Sequence, residues 1–350
     1  RIEKEYKCKL SFLMSQDRAY GQGFLFTVPL VPEIKRSNWD NEKKLLNFVN
    51  LFLFYEQIIL GSKMFIEHRL NAISYTITKI KNIPSFSLAT IKLGDNVLWS
   101  ENQYLTNKKF LEDINKNLSN KKINTTEQYA IESDAIYRRT GVNYNYFNAF
   151  KSSFKMIIIE IKNFIMDTKN KNSYNYFAWI KNNFIAVRNY KYLKKISIKK
   201  SDINNKKIIF FPLHLEPEVS LLNVSPEFSN SLEVISLIAK NLPFDTVLIL
   251  KEQIFSFPVR SINFYKQLKK IYNVEFADPE IHSWEWIKDS KIIVSITGTV
   301  GIEAIMMKKK VISFGAHQAI NLLPSVKYVS NFEEVKKAME ELIETDFKDE

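Results

Sequence analysis

The spacing of apolar residues along the second half of the chain predicts a regular alternation of strands and helices. From residue 208 onward, short apolar runs are separated by stretches in which apolar residues recur every three or four positions. The short runs are typical of buried strands and the longer spacing is typical of amphipathic helices. The predicted strands are 208–213, 247–250, 274–276, 292–296 and 311–314, and the predicted helices are 227–240, 261–271, 283–289, 300–307 and 332–344. This alternation indicates a doubly wound α/β domain, whose ligands bind at the carboxyl ends of the strands.

The first part of the chain shows the same alternation less regularly. Strands are predicted over 7–14, 63–66 and 85–91, and helices over 41–60 and 70–81. Gly61 is the residue expected to end the first of these helices. Alternation of this kind predicts a parallel sheet with crossover helices, and therefore a first α/β domain over residues 1–125.

The middle of the chain has a different character. Between residues 126 and 200 it contains one glycine, Gly141, and no proline, and residues 174–193 follow helical spacing. A helix with one apolar face packs that face against a domain. We therefore interpret residues 126–205 as a helical connector and residues 206–350 as a second α/β domain.

Composition narrows the class of protein. With 350 residues and 45% hydrophobic content, the chain can fill the cores of two domains. Its one cysteine, Cys8, excludes an internal disulfide and a cysteine-rich metal site, and it fits a reducing compartment such as the cytoplasm. No apolar run reaches the roughly 18 residues that a membrane-spanning helix needs, so a soluble or peripheral protein is expected.

The net charge of +12 suggests an acidic partner, and much of it lies in residues 191–207. The cations of this segment are Lys191, Lys194, Lys195, Lys199, Lys200, Lys206 and Lys207. Two interpretations stay open: a solvated linker, or a patch for peripheral contact with the inner face of a membrane. The aromatic residues are not set in a nucleic-acid-binding motif, so no nucleic-acid partner is expected.

The stretch from Lys291 to Gly315 holds three of the eight glycines of the chain. Its pattern predicts a strand, the tight turn Thr297-Gly298-Thr299-Val300-Gly301, a short helix carrying Glu303, and a second strand. A helix that follows such a turn directs free N–H groups outward, where they form a ready anion site. A phosphate-bearing ligand is the first hypothesis, and an ordinary strand-to-helix turn is the alternative.

Other residues capable of chemistry follow the predicted strands, at the edge where a doubly wound sheet binds its ligands. They are His214, Glu216 and Glu218 after the first strand, Lys251 and Glu252 after the second, and Asp278 and His282 after the third. His214 can bond a phosphate, a carboxylate or a sugar hydroxyl, or it can be a structural loop histidine. Lys251 and Arg260 can neutralise a diphosphate or a sugar-acid carboxylate, or they can be ordinary surface cations.

The turn and its surroundings offer further candidates. Thr297 and Thr299 can donate hydroxyls to a phosphate, while Glu303 can bond ribose hydroxyls or complement the helix dipole. His282 and His317 stay open between a binding and a structural role. A G-x-G-x-x-G fingerprint, a P-loop and an H-E-x-x-H zinc motif are all absent from the sequence, so neither those nucleotide sites nor a catalytic zinc site is expected.

Taken in order, several of these stretches resemble the capsule polysaccharide biosynthesis family, which includes Kdo-transferring enzymes of capsule assembly. They are Ile208-Ile-Phe-Phe-Pro-Leu-His-Leu-Glu-Pro-Glu218, Leu242-Pro243, Val247-Leu-Ile-Leu-Lys-Glu252, Ser295-Ile-Thr-Gly-Thr-Val-Gly-Ile-Glu-Ala304 and Lys310-Val-Ile-Ser-Phe-Gly315. The resemblance covers 208–315, and the N-terminal half is similar only in general layout. It implies an α/β GT-B glycosyltransferase with two Rossmann-like domains facing a cleft. The nucleotide-sugar donor would bind the C-terminal domain and the acceptor the N-terminal one, with no metal or cofactor.

On this resemblance, the 297–301 turn would hold the donor phosphate and stabilise charge on the leaving nucleotide. His214, Lys251 and Arg260 would contact the phosphate or the acid group of the sugar, and Glu303 the ribose. The donor-binding candidates are Glu216, Lys251, Glu252, Arg260, His282, Thr297, Gly298, Thr299, Val300, Gly301 and Glu303, with His214 as a catalytic candidate.

An inverting enzyme also needs a carboxylate base on the acceptor side, and Glu67 and Asp95 are the candidates. Glu67 can equally belong to a helix start. One departure from the family pattern stands beside Lys251: the family commonly has Lys-Glu-His-Pro, whereas this chain has Lys251-Glu252-Gln253-Ile254. Glutamine can donate a hydrogen bond but cannot carry a proton or a charge. Either the donor differs from CMP-Kdo or the activity is weakened.

The expected function is transfer of a sugar from a CMP- or UDP-sugar to a bacterial surface polysaccharide or glycolipid. Two alternatives stay open. A nucleotide-sugar epimerase would act on the donor alone, and a non-catalytic partner of a capsule assembly complex would bind the donor without turnover.

Overall fold

A computed structural model describes residues 13–14, 24–25, 41–60, 62, 64–68, 72–90, 97–100, 144–165, 176–203, 206–216, 221, 225–315 and 318–345. The chain divides into two compact units. One comprises residues 1–88 with 101–103, and the other comprises residues 89–100 with 104–350.

Within the described residues up to 100, the N-terminal part contains short strands and two helices. Strand β1 (Leu13–Met14) pairs in parallel with β2 (Phe24–Leu25). Helix α1 (Asn41–Ile59), strand β3 (Phe65–His68), helix α2 (Ala72–Ile80) and strand β4 (Ser85–Thr90) then alternate, and β3 and β4 are parallel. The predicted alternation is confirmed here, although β3 begins two residues later than expected. Strand β5 (Val97–Ser100), which joins the sheet beside β4, was not predicted.

The predicted helical region contains two long helices, α3 (Tyr146–Ile165) and α4 (Tyr176–Ile196). Ala186 and Leu193 of α4 are buried in the core of the C-terminal sheet, which confirms that this helix packs one face on a domain. Helix α3 in turn contacts α4, and the Asn183 amide donates to the Ser152 hydroxyl at 3.4 Å. The boundary near residue 125 lies outside the described residues, so the domain limits stay a prediction.

The C-terminal part is built on one parallel sheet. Its strands are β6 (Lys207–Pro212), β7 (Thr246–Lys251), β8 (Val274–Phe276), β9 (Ile292–Ser295), β10 (Lys310–Ser313) and β11 (Val326–Tyr328). Their order in the sheet is β11-β10-β9-β6-β7-β8, with every pairing parallel. The helices between them are α5 (Ser231–Lys240), α6 (Ile262–Leu268), α7 (Ser283–Asp289), α8 (Val300–Met306) and α9 (Glu333–Glu344).

Helices cover both faces of this sheet. Since consecutive residues of a strand point to opposite sides, each strand contributes apolar residues to both faces. On one face, Ile209 and Phe211 pack with apolar residues of α4, α5, α6 and α9. On the other, Ile208 and Phe210 pack with Trp286 of α7 and with α8. The predicted fold class, an α/β chain with a doubly wound Rossmann-like C-terminal domain, is confirmed.

The order of strands places a topological switch point between β6 and β9. From β6 the chain first builds outward through β7 and β8, and it then returns to place β9 on the other side of β6. Helices that leave neighbouring strands on opposite faces open a crevice at the carboxyl edge, and ligands of such sheets bind there. The loops that follow β6 and β9 therefore define the position where a site is expected.

Candidate functional site

His214 and Thr297 join the two loops at the switch point. Each lies two residues beyond its strand, and the two side chains are 3% and 4% exposed. Nε2 of His214 is 2.6 Å from the carbonyl oxygen of Thr297 and 3.1 Å from its amide nitrogen. The tautomer decides whether Nε2 donates to the carbonyl or accepts from the amide. In both cases the imidazole fixes the start of the turn after β9 to the loop after β6.

The 297–301 turn combines an unusual backbone with open space. Gly298 has a φ of +113°, and no atom lies within 4 Å of the position that a Cβ would occupy. This region of φ favours glycine. The Ser295 hydroxyl donates to the Thr297 carbonyl at 3.0 Å. The buried Thr297 hydroxyl has no hydrogen-bond partner within the described part of the chain. The Ser295 hydroxyl and His214 therefore fix Thr297 at the start of the turn, and the space beside Gly298 contains no other atom of the protein.

The residues that follow the turn have mixed roles. Thr299 is the N-cap of α8, but its side chain makes no capping hydrogen bond. Val300 is half-buried and begins the helix. A Cβ on Gly301 would lie 2.6 Å from Ile320 Cδ1, so a larger residue at this position would require the Ile320 side chain to move. The role of Gly301 in binding stays a prediction.

Glu303 and His282 are both tied to Trp284. The indole Nε1 donates to Oε2 of Glu303 at 3.0 Å. His282 is the N-cap of α7, and its Nδ1 accepts from the amide of Trp284 at 3.2 Å. The structure therefore assigns His282 a capping function. Glu303 lies one helical turn beyond Thr299, on the helix that leaves the glycine turn.

The loop after β7 buries its charged residues. Lys251 is 9% exposed, and its ammonium donates to the carbonyls of Asp278 at 3.3 Å and Pro279 at 3.1 Å. Burial lowers the pKa of Lys251 to about 8. The ammonium thereby connects the end of β7 to the loop after β8.

Arg260 is the centre of a buried ion-pair network. Its Nε lies 2.7 Å from Oε2 of Glu252, its Nη1 lies 3.8 Å from Oε1 of Glu216, and its Nη2 donates to the carbonyl of His214. Burial alone would lower the pKa of Arg260, but the charges of Glu252 and Glu216 outweigh it and raise the pKa. Burial raises the pKa of Glu216 in spite of the nearby guanidinium. Arg260 therefore positions the loop that carries His214.

Three polar residues that support these loops were not found from the sequence. The buried side-chain amide of Asn189 in α4 donates to the carbonyls of Phe257 at 2.9 Å and Arg260 at 2.8 Å. The Tyr265 hydroxyl donates to Glu252 at 2.8 Å. The Gln318 amide donates to the carbonyl of Ile296 at 2.8 Å. Asn189 stands between Arg188 and Tyr190, and Gln318 between His317 and Ala319, and neither position carries a local motif that marks a buried support.

Four candidates cannot be placed as side chains. Glu67 lies in β3, whose backbone is described but not the Glu67 side chain, while Asp95, Glu218 and His317 lie outside the described residues. Their proposed roles stay predictions.

The lysine-rich segment is largely paired with acidic or aromatic side chains. Lys194 lies 2.8 Å from Asp278, Lys200 lies 2.7 Å from Asp289, and Lys207 lies 2.9 Å from Asp245. Lys191 lies over the ring of Tyr146, 4.3 Å from its centroid. This pairing accounts for much of the charge of the segment without a partner, but Lys191, Lys194 and Lys195 lie in α4 and Lys207 lies in β6, so the segment is only in part a linker. None of the described helices is both long and apolar enough to cross a bilayer. No cluster of three or more potential metal-binding side chains occurs among the residues with described positions.

The fold and the switch-point loops define the class first: a doubly wound, Rossmann-like α/β domain with a glycine turn at its ligand-binding edge. The family whose description is "capsule polysaccharide biosynthesis protein" matches residues 112–343. The chain belongs to this family, which confirms the resemblance found in the sequence. The match also extends well beyond residues 208–315 and includes α3 and α4.

Three solved structures show partial similarity. Staphylococcus aureus MnaA with UDP is 14% identical, with a TM-score of 0.35, covering 92% of this chain and 80% of that one. The Thermosulfurimonas dismutans β-Kdo 2,7-transferase KpsC is 20% identical, with a TM-score of 0.29, covering 43% and 50%. Anabaena HepE with UDP-glucose is 15% identical, with a TM-score of 0.32, covering 45% and 43%. No curated protein matches the chain. At these identities and TM-scores, the family assignment rests on the family match alone.

Proposed function

We propose that the protein is a glycosyltransferase that moves a sugar from a nucleotide-sugar donor to a growing bacterial surface polysaccharide or glycolipid. Family membership supports a polysaccharide product. The single observation that carries the donor site is the contact between His214 and Thr297 at the switch point of the parallel sheet. Ligands of doubly wound sheets bind at this position.

In this proposal the donor phosphate binds the 297–301 turn. The absence of a Cβ at Gly298, with open space around that position, lets a phosphate approach the backbone closely. The buried Thr297 hydroxyl would gain a partner when a phosphate oxygen enters the turn. Main-chain amides that are already held in place stabilise the negative charge that develops on the leaving nucleotide.

The other candidates divide into binding and positioning residues. Glu303 accepts from Trp284, and because a carboxylate can accept several hydrogen bonds, it can also bind a ribose hydroxyl. Arg260 and Glu252 position the loop of His214 through their buried ion pair. Lys251 can be assigned to either the binding or the positioning residues, since its ammonium is held by backbone carbonyls and not by an acid.

The acceptor side of the proposal depends on the N-terminal part of the chain. Glu67 and Asp95 are proposed as general-base candidates, because an inverting transfer must remove a proton from the attacking hydroxyl. The chemistry as proposed requires no metal ion and no cofactor, since charge on the leaving phosphate is stabilised by protein groups.

A nucleotide screen tests this function. We expect one class among CMP-, UDP- and GDP-sugars, present at about 100 times its Kd, to add about 2.7 kcal/mol of stability. For a protein of this size the melting temperature would rise by roughly 3–5 °C. No shift with any of the three classes would contradict the donor site.

A transfer assay then separates the proposed activity from its alternatives. A glycosyltransferase incorporates the labelled sugar only when an acceptor saccharide or glycolipid is present. Conversion of the donor sugar without an acceptor would identify an epimerase. Donor binding without turnover, over a panel of acceptors, would identify a binding subunit. The replacement of the family histidine by Gln253 is the feature of the sequence that suggests this alternative.

A further inference from the structure

Helix α3 carries a row of large apolar side chains that are exposed to solvent. The row, which we call the apolar stripe, consists of Phe147, Phe150, Phe154, Ile157, Ile158 and Ile161, which are between 43% and 74% exposed. The rings of Phe150 and Phe154 stack with their centroids 6.5 Å apart. Contiguous exposed apolar patches on a protein surface mark sites of interaction.

The apolar stripe is not the face that α3 uses to pack on the protein. At about 100° per residue, its six members fall within an arc of about 100°, over roughly 21 Å of the helix axis. Outside this arc, Ala149 and Ser153 are buried, and Ser152, on the opposite side of the helix, accepts a hydrogen bond from Asn183 of α4. Among the side chains of α3 that the structure describes, the buried ones are small and the large apolar ones are exposed.

Lysines border the apolar stripe on both sides. The exposed Lys151 and Lys155 come next to it around one side of the helix. At its other side, the exposed Lys191 of α4 lies over the ring of Tyr146, in the first turn of α3. An apolar helix face with basic margins is the pattern of helices that lie in a membrane interface.

We propose that the apolar stripe binds the surface of an anionic lipid bilayer, with the phenylalanines and isoleucines among the acyl chains and the lysines at the headgroup phosphates. The argument for this occupant is charge complementarity, since the margins of the stripe are basic and the chain carries a net charge of +12. A second copy of the chain suits the stripe less well, because two stripes face to face would bring their lysine margins together. This proposal moves the membrane contact that was one interpretation of residues 191–207 to α3, with Lys191 at its margin, and it does not depend on the proposed enzymatic activity.

Vesicle flotation with purified full-length protein tests the proposal. We expect binding to vesicles of phosphatidylcholine and phosphatidylglycerol, weaker binding to phosphatidylcholine alone, and a loss of the difference at high salt. The triple variant F147S/F150S/F154S should lower the partition coefficient at least tenfold. The matched control is Phe244→Ser, which replaces an even more exposed phenylalanine outside α3 and should not change binding.

The charged margin is tested separately. Lys151→Ala combined with Lys155→Ala should lower binding to the anionic vesicles by about 10- to 30-fold and leave binding to neutral vesicles unchanged. This variant keeps every apolar residue, so it stays informative if the triple variant fails to fold. Circular dichroism and the melting temperature report the fold of each variant.

Two outcomes would overturn the proposal. The first is failure of the wild-type protein to float with anionic vesicles, or flotation of the triple variant equal to that of Phe244→Ser. The second is a wild-type dimer that the triple variant converts to a monomer, with no vesicle binding by either. That result would assign the stripe to an interface between copies of the chain.

Discussion

The loops that follow β7 and β9 leave the same edge of one sheet, yet they offer a ligand very different groups. The β7 loop is rich in charge, but Lys251, Glu252 and Arg260 are buried and bonded to other parts of the protein. The 297–301 turn after β9 carries no charged side chain, and its backbone is open at Gly298. Buried charges need partners, so Lys251 and Arg260, which the sequence suggests for binding a phosphate, already bond to groups of the protein. Main-chain groups of the turn are left for binding.

The largest expected effect comes from breaking the β7 network. Glu252→Ala leaves Arg260 buried without its closest acid and should lower the free energy of unfolding by about 3–5 kcal/mol. Denaturation with urea measures this loss, and nucleotide affinity of the folded protein should fall less than it does in a variant of the 297–301 turn, because Glu252 acts on the site only through the loop of His214. The control is Glu280→Ala, which removes an exposed partner of Lys194 and should cost about 0–1 kcal/mol. Equal losses in the two variants would show that the network is not a buried support.

The second effect tests the open turn. Gly298→Val should weaken nucleotide binding about tenfold or more while the fold persists, because its side chain would occupy the space around the turn. Gly298→Ala is the matched control, since both variants bear the cost of positive φ, on the order of 1–3 kcal/mol, and differ in bulk. Calorimetry that gives wild-type affinity for Gly298→Val would remove the turn from the donor site.

The third effect concerns the contact between the loops. His214→Ala removes the bond to the Thr297 backbone and should cost about 1–3 kcal/mol, because a buried polar group loses its partner. Sugar transfer should fall by more than this loss of stability explains. Asn230→Ala is a control of similar cost, since it removes the N-cap of α5 but leaves the switch point intact. Transfer by His214→Ala at the rate of Asn230→Ala would exclude His214 from the site.

The smallest effect is a pH dependence from Lys251. Its pKa of about 8 in the folded protein lies below the value of about 10.4 in an unfolded chain. The unfolded state therefore binds more protons between these values, so the contribution of Lys251 to stability rises with pH in this window. Between about pH 8 and 9.5, wild type should gain about 1–2 kcal/mol relative to Lys251→Met. A difference that is constant with pH would mean that Lys251 is not perturbed by burial.

The regular part of the fold could be predicted because its signal is local. Apolar runs such as 208–213 and 247–250 are long enough to mark buried strands, and Asn230, Ser261 and His282 each cap a helix start. β2, β5 and β11 were missed. β2 has two residues, and β11 has three, of which only Val326 is buried. A short edge strand bears little of the hydrophobic pattern on which a prediction depends.

The meeting of the candidate loops could be predicted, but the contacts of their side chains could not. His214 and Thr297 do meet at one edge of the sheet, since parallel strands end there, and their roles in binding stay predictions. The bonds of Arg260 to Glu216 and Glu252 depend on which loops meet in space, and so does the support from Asn189, 71 residues before Arg260 in the chain. Sequence spacing contains no information on such contacts.

The sequence alone determined the α/β alternation, the family resemblance and the glycine turn, because each depends on residues that are close together in the sequence. Only the tertiary structure decided that β9 lies beside β6, that Lys251 and Arg260 are already bonded within the protein, and that the six residues of the apolar stripe on α3 are exposed. These properties depend on long-range packing and on which polar groups burial leaves satisfied. They decide which residues remain available to a ligand or a membrane.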